Sequence, residues 1–186
     1  MALLAGCGVR PVPPDPTPEI TVSPAPPPTV PEVECSDAGI GISAAGTEAA
    51  MGLRTLSIEL VNCGTSPYTV RGYPSVRLFD EALEPIDVNA APGTNGVAML
   101  PEFDAPPREI TLQPGEKAVS GLLWRNLVTD ATVKATTAFH LDAAVAQGKP
   151  WQQVPLIVPD EINGTRTVEI DLGNTGKLGV QAWTKA

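Results

Sequence analysis

Arg54-Thr55-Leu56-Ser57-Ile58-Glu59-Leu60-Val61-Asn62 decides the fold. Leucine or isoleucine stands at 56, 58 and 60 with serine and glutamate between, a period of two that marks an antiparallel strand with one buried face. Cys63-Gly64-Thr65-Ser66-Pro67 ends the run with turn formers, and Pro67 keeps Ser66 extended. A second strand starts at Tyr68. Arg71-Gly72-Tyr73-Pro74 then demands a sharp corner, because Gly72 tolerates positive φ and Pro74 holds Tyr73 out of the helical region. Beyond it Val76 and Leu78 face one way and Ser75, Arg77 and Phe79 the other.

The same alternation recurs on either side. Upstream, Ile40 and Ile42 predict a short edge strand, and the small, polar residues from Ala44 to Gly52 predict a loop. Downstream, Asp87 to Pro107 has few periodic apolar positions and reads as a long connection. Ile110 and Leu112 alternate before Pro114-Gly115, which has proline second and glycine third as a type II turn requires. Lys117 to Trp124 is apolar or small almost throughout, as in a central strand covered on both faces. From Ala138 to Gln147 an alanine-rich helix ended by Gly148 and Pro150 competes with a strand placing Phe139 and Leu141 inward and His140 and Asp142 outward; the strand is favoured. Val154, Leu156 and Val158, then Val168, Ile170 and Leu172, then Leu178, Val180 and Ala182 give three closing strands, with turns at Asn163-Gly164 and Asn174 to Gly176.

With 21 prolines and 17 glycines in 186 residues, helices are disfavoured. The expected fold is all-β, an antiparallel two-sheet β-sandwich of immunoglobulin-like kind, occupying residues 34–186.

Residues 1–33 have a different composition. Leu4-Ala5-Gly6-Cys7 fits the small-residue pattern before the acylated cysteine of a bacterial lipoprotein. Met1 to Gly6 lack a basic stretch and the roughly 7 to 15 apolar residues of a signal peptide. Residues 1–7 therefore read as the remnant of a lipoprotein signal peptide, with Cys7 as the lipidation site. Gly8 to Val33 carry ten prolines, which predicts an extended, disordered linker unable to bury a core. At about 3.1 Å per residue it would hold a domain up to roughly 80 Å from its anchor. No apolar run is long enough to span a bilayer, so the membrane is expected as a partner only through the lipid on Cys7.

The motifs Ala50-Met51-Gly52-Leu53-Arg54, Leu60-Val61-Asn62-Cys63-Gly64 with Pro67-Tyr68, Arg71-Gly72-Tyr73-Pro74, Leu112-Gln113-Pro114-Gly115, Trp124-Arg125-Asn126, and Asp171-Leu172-Gly173 with Thr175-Gly176-Lys177-Leu178 before Trp183 together resemble actinobacterial domain-of-unknown-function family 4232 (DUF4232). The resemblance covers nearly all of Glu34 to Trp183. It implies a β-sandwich carried by exported, often lipid-anchored envelope proteins, and it supplies no catalytic residues. Many members place a cysteine where this chain has Tyr68, so the pairing of Cys35 with Cys63 rests on this chain's own arithmetic: with Cys7 acylated, two cysteines remain, and an exported chain oxidises such a pair.

The chemistry-bearing residues are sparse. The one histidine, His140, sits on an alternating run, and no Gly-x-Ser-x-Gly is present, so a nucleophilic triad is not expected. Asp80, Glu81, Glu84 and Asp87 crowd one loop without the spacing of a calcium loop and read as a solvated turn. Asn163-Gly164-Thr165 reads as a tight turn rather than a glycosylation acceptor. Trp151 and Trp183 are expected to complete the core. A formal net charge of -9 repels phosphate, so nucleic acid is excluded as a partner. No cofactor or metal is expected.

These features lead to a non-catalytic, lipid-anchored extracytoplasmic module that binds a protein or envelope component. The long loop is its candidate contact surface, with Val97, Met99, Leu100 and Phe103. The alternative is a small-ligand carrier or an enzyme whose site forms only in the fold.

Overall fold

The structure is a computed structural model and describes residues 32–186; Cys7 and most of the proline-rich stretch lie outside the described residues. Among these, every regular element is a strand: β1 (Ile40–Ala50), β2 (Leu53–Asn62), β3 (Tyr68–Val70), β4 (Ser75–Phe79), β5 (Asn89–Pro92), β6 (Ile110–Leu112), β7 (Lys117–Arg125), β8 (Thr136–Ala138), β9 (His140–Ala144), β10 (Gln152–Val154), β11 (Ile157–Asp160), β12 (Gly164–Thr167), β13 (Ile170–Gly173), β14 (Lys177–Val180) and β15 (Thr184–Lys185). The all-β expectation holds: within Ala138 to Gln147 the regular structure is strand, β9 and the end of β8, with Leu141 buried as expected and Phe139 exposed instead.

The largest sheet runs β1-β2-β7-β14-β5, with β15 also paired to β7. The alternation read in β2 is realised: Leu56, Ile58 and Leu60 are fully buried. β7 lies at the centre, antiparallel to β2 on one side and to β14 and β15 on the other. Its inward residues Ala118, Leu122 and Trp124 join one buried cluster with Leu78 of β4, Leu141 and Ala143 of β9 and Val154 of β10. The three-stranded sheet β10-β9-β4 thus shares a core with the six-stranded one.

Four sequence expectations are corrected. Ala44 to Gly52 is not a loop: β1 continues to Ala50 through a bulge between Ala44 and Gly46, and Met51 (φ 50°) and Gly52 (φ 78°) form a two-residue hairpin turn. Positive φ at both central positions matches the right-handed twist of the flanking strands. The small residues hid this strand because they supply no apolar alternation. Within 87–107 a strand, β5, pairs parallel to β14, so the large sheet is mixed rather than antiparallel. The strands fall into five separately hydrogen-bonded sheets, against the two read from sequence. Gly72, at φ 105°, turns the chain between β3, which pairs with β6, and β4, which pairs with β9. Run 154–158 likewise divides between β10 and β11, and of run 168–172 only Ile170 and Leu172 lie in a strand, β13. Finally, Trp183 is buried as expected and donates its Nε1–H to the Val145 carbonyl at 2.8 Å, whereas Trp151 is 41% exposed and completes no core.

The second strand ends on a polar hub. Buried Asn62 donates through Nδ2 to the carbonyls of Ser66 and Leu112, both at 2.9 Å, and its Oδ1 accepts from the Gly64 amide at 3.0 Å. Both its Nδ2 hydrogens and its Oδ1 are engaged within the protein, which fixes the 62–66 turn against β6. Next to it Cys63 is disulfide-bonded to Cys35, with Cα atoms 6.3 Å apart. Among the described residues no helix is long and apolar enough to cross a membrane.

Candidate functional site

The long segment after β5 is latched down at several points. The Asp104 carboxylate accepts the Thr94 amide at 2.8 Å, the Val97 carbonyl accepts Arg125 Nε at 2.9 Å, and the Glu102 carbonyl accepts Gln181 Nε2 at 3.2 Å. Phe103 is only 7% exposed and lies over Gly121 of β7, where a Cβ would meet the ring at 2.6 Å. Gly121 and the fully buried Leu123 alternate with the core-facing residues of β7, so the loop covers the outer face of the large sheet. That cover is what buries β7 on both faces. Of the four loop residues singled out from sequence, Phe103 is internal, Val97 and Leu100 are half-buried, and Met99 projects at 96% exposure.

A second surface is assembled on the outer face of β10-β9-β4. Alternation turns Arg77 of β4 and Asp142 of β9 outward, and the register pairs them directly. Arg77 Nη2 bonds Asp142 Oδ2 at 2.7 Å. The Arg77 guanidinium lies 4.0 Å from the centroid of the Trp151 ring and 5.7 Å from that of Phe79. A guanidinium held by a carboxylate and stacked on aromatic faces is pre-oriented; each cation–π contact at an exposed site contributes about 0.5–1 kcal/mol. His140 sits opposite Phe79 in the same register.

Beside this face runs an open groove of about 600 Å³, lined by Arg71, Tyr73, Pro74, Pro92, Gln147 and Trp151. The corner predicted from Arg71 to Pro74 and residues of β5 both contribute to its lining. Sequence reasoning missed the groove because it joins four segments far apart in the chain. The outward positions of Arg77 and Asp142 were legible; Trp151 was not. A further cavity of about 500 Å³ lies near the C-terminus, lined by Pro106, Ile110, Ala182 and Trp183 with Arg108 and Lys185.

Perturbed carboxylates lie elsewhere. Asp160 is held below its ordinary value by the amides of Asn163 and Ile162, Glu116 by the Gln113 amide and then Lys185, and Asp130 by Thr132. Each caps a turn, so the shifts report local backbone bonding. Among the described residues no three His, Cys, Asp or Glu side chains cluster as metal ligands.

Comparisons with curated proteins and with solved structures find no match. A family model matches residues 35–184, from the first bridged cysteine to the last strand, and on that match the chain belongs to the family described as "Domain of unknown function (DUF4232)".

Proposed function

We propose that the chain is an exported, lipid-anchored recognition module of the cell envelope, an immunoglobulin-like β-sandwich that binds a macromolecular partner and performs no reaction. The observation carrying this reading is the Arg77–Trp151–Asp142 arrangement. An exposed tryptophan with a paired guanidinium on its ring, bordering an open groove, supplies stacking area and oriented donors at little entropic cost. Leu4-Ala5-Gly6-Cys7 and the proline-rich stretch support a lipid anchor and stalk, and the Cys35–Cys63 bridge suits an oxidising compartment.

The test is sedimentation of the purified chain with washed envelope from its source organism. Wild type and Met99→Ala are expected to co-sediment, and Trp151→Ala and Arg77→Ala to remain in the supernatant. Equal sedimentation of wild type and all three variants overturns the assignment of this face. The 500 Å³ cavity beside Trp183 favours a second reading, a small-ligand carrier. Saturable stabilisation by a member of a metabolite panel, lost on Ile110→Trp, would select it.

A further inference from the structure

The groove beside Trp151 differs in charge from the chain as a whole. Acids outnumber bases by 21 to 12 along the sequence, yet no Asp or Glu lines this groove, and its one charged lining residue is Arg71. Among the described residues no carboxylate pairs with Arg71, whereas Arg77, Lys117, Arg166 and Lys185 each hold one. The planar fork of N–H donors on Arg71 is therefore left for an incoming acid.

The lining is held in place by the fold. Gly72, at φ 105°, turns the chain just after Arg71, and its carbonyl accepts the amide of buried Trp183 at 2.9 Å, which ties the corner to the core. The parallel ladder to β14 and the bond from the Gly93 amide to the Val180 carbonyl at 2.8 Å fix Ala90, Ala91 and Pro92. Gln147 sits in a turn closed by the Lys149 amide on the Ala146 carbonyl at 3.1 Å. The Arg77 guanidinium, 4.0 Å from the centroid of the Trp151 ring, orients the indole and leaves its other face for a ligand. Surfaces fixed in this way lose little freedom on binding.

Shape and charge select among anionic partners. A peptide anchors by sinking a large side chain into a desolvated pocket. This groove is open, about 600 Å³, and offers flat aromatic surface beside short side chains. A sugar ring matches that surface, since its C–H face stacks on an indole while its hydroxyls need polar groups at the rim, here Tyr73 and Gln147. The net charge of -9 repels a densely charged polymer, so the acids of the ligand are spaced along neutral rings. Resting on the reading of this face as a recognition surface, we infer that the groove binds a carboxylate-bearing polysaccharide: one ring stacks on Trp151, its hydroxyls bond Tyr73 and Gln147, and a carboxylate is clamped by Arg71.

The test sediments the full chain with washed envelope of its source organism in three preparations: untreated; digested with protease and stripped of lipid by solvent; and digested, stripped and then amidated at its carboxylates with carbodiimide and methylamine. Wild type is expected to bind the first two equally and the third about tenfold more weakly, the loss of one charge-assisted contact. Arg71 and Trp151 are both exposed, so their substitution leaves the core intact. Arg71→Gln is expected to bind the digested preparation about tenfold more weakly than wild type and to be indifferent to amidation, Arg71→Lys to regain sensitivity to amidation, and Trp151→Ala to bind none of the three. Wild-type binding that disappears on digestion, or that amidation leaves unchanged, overturns the acidic polysaccharide whatever the variants do. If binding is lost on digestion and Trp151→Ala also fails on untreated envelope, the recognition face stands with a protein as its occupant, and this inference alone falls. Trp151→Ala binding untreated envelope as wild type does removes the face and the inference together.

Discussion

Opening the Cys35–Cys63 bridge is expected to lower stability by about 3.5 kcal/mol while leaving the native structure in place. The two cysteines are 28 positions apart, and the chain-entropy model assigns a loop of that length about 3.5 kcal/mol at 25 °C. The native side has little to lose, because the Cys63 and Gly64 amides both donate to the Gly39 carbonyl, at 2.8 and 3.0 Å, whether or not the sulfurs are joined. The loss therefore resides in the unfolded ensemble, which gains freedom when the loop opens. For a domain of this size 1 kcal/mol corresponds to about 2–4 °C in Tm, so the expected drop is about 7–14 °C. Thermal and urea unfolding of Cys35→Ser/Cys63→Ser and of reduced wild type should coincide, with a larger urea m-value than the bridged protein. A Tm shift under about 3 °C, or a serine variant indifferent to oxidation state that still matches bridged wild type, would refute the assignment of stability to this loop.

Three further outcomes follow from particular contacts. Trp183→Phe keeps an apolar ring but strands the buried Val145 carbonyl, and urea unfolding should show a loss of about 1–3 kcal/mol. Gly121→Val forces the Phe103 ring off β7; limited proteolysis should then cut near Met99, with stability down by about 1–3 kcal/mol. The Asp160 carboxylate accepts the amides of Ile162 and Asn163 and titrates below its ordinary 3.8. Its folded value being the lower one, the ionised form stabilises the β11–β12 hairpin at neutral pH, and this contribution is lost as pH falls from about 3.8 through the folded value. Amide shifts of Ile162 and Asn163 should report that acid transition, and Asp160→Asn should abolish it.

What the sequence made legible was set by side-chain alternation. Leu56, Ile58 and Leu60 announce β2 because each inward position is large and each outward one polar. Gln113-Pro114-Gly115-Glu116 announces its turn: Gly115 adopts φ 82° and the Glu116 amide bonds the Gln113 carbonyl at 2.9 Å. β5 and the second half of β1 were invisible for the converse reason. Asn89-Ala90-Ala91-Pro92 and Thr47-Glu48-Ala49-Ala50 carry no apolar period, and their pairing is decided by the neighbouring strand. The connection from Asp87 to Pro107 was read as a contact surface because its apolar residues lack periodicity, yet Phe103 is spent on covering Gly121. Trp151 was assigned to the core on residue type alone; only the β10–β9–β4 register places it on the same outer face as Arg77.

Whether the chain is anchored and bridged is decided by the intact mass of the protein taken from its native membrane fraction, before and after reduction. The expected species begins at Cys7, carries the added mass of lipid, shows no titratable thiol, and gains the mass of a pair of hydrogens when the Cys35–Cys63 bridge is reduced. An unlipidated chain recovered from the cytosol, with its cysteines open to thiol reagents before reduction, would contradict the anchored, extracytoplasmic module.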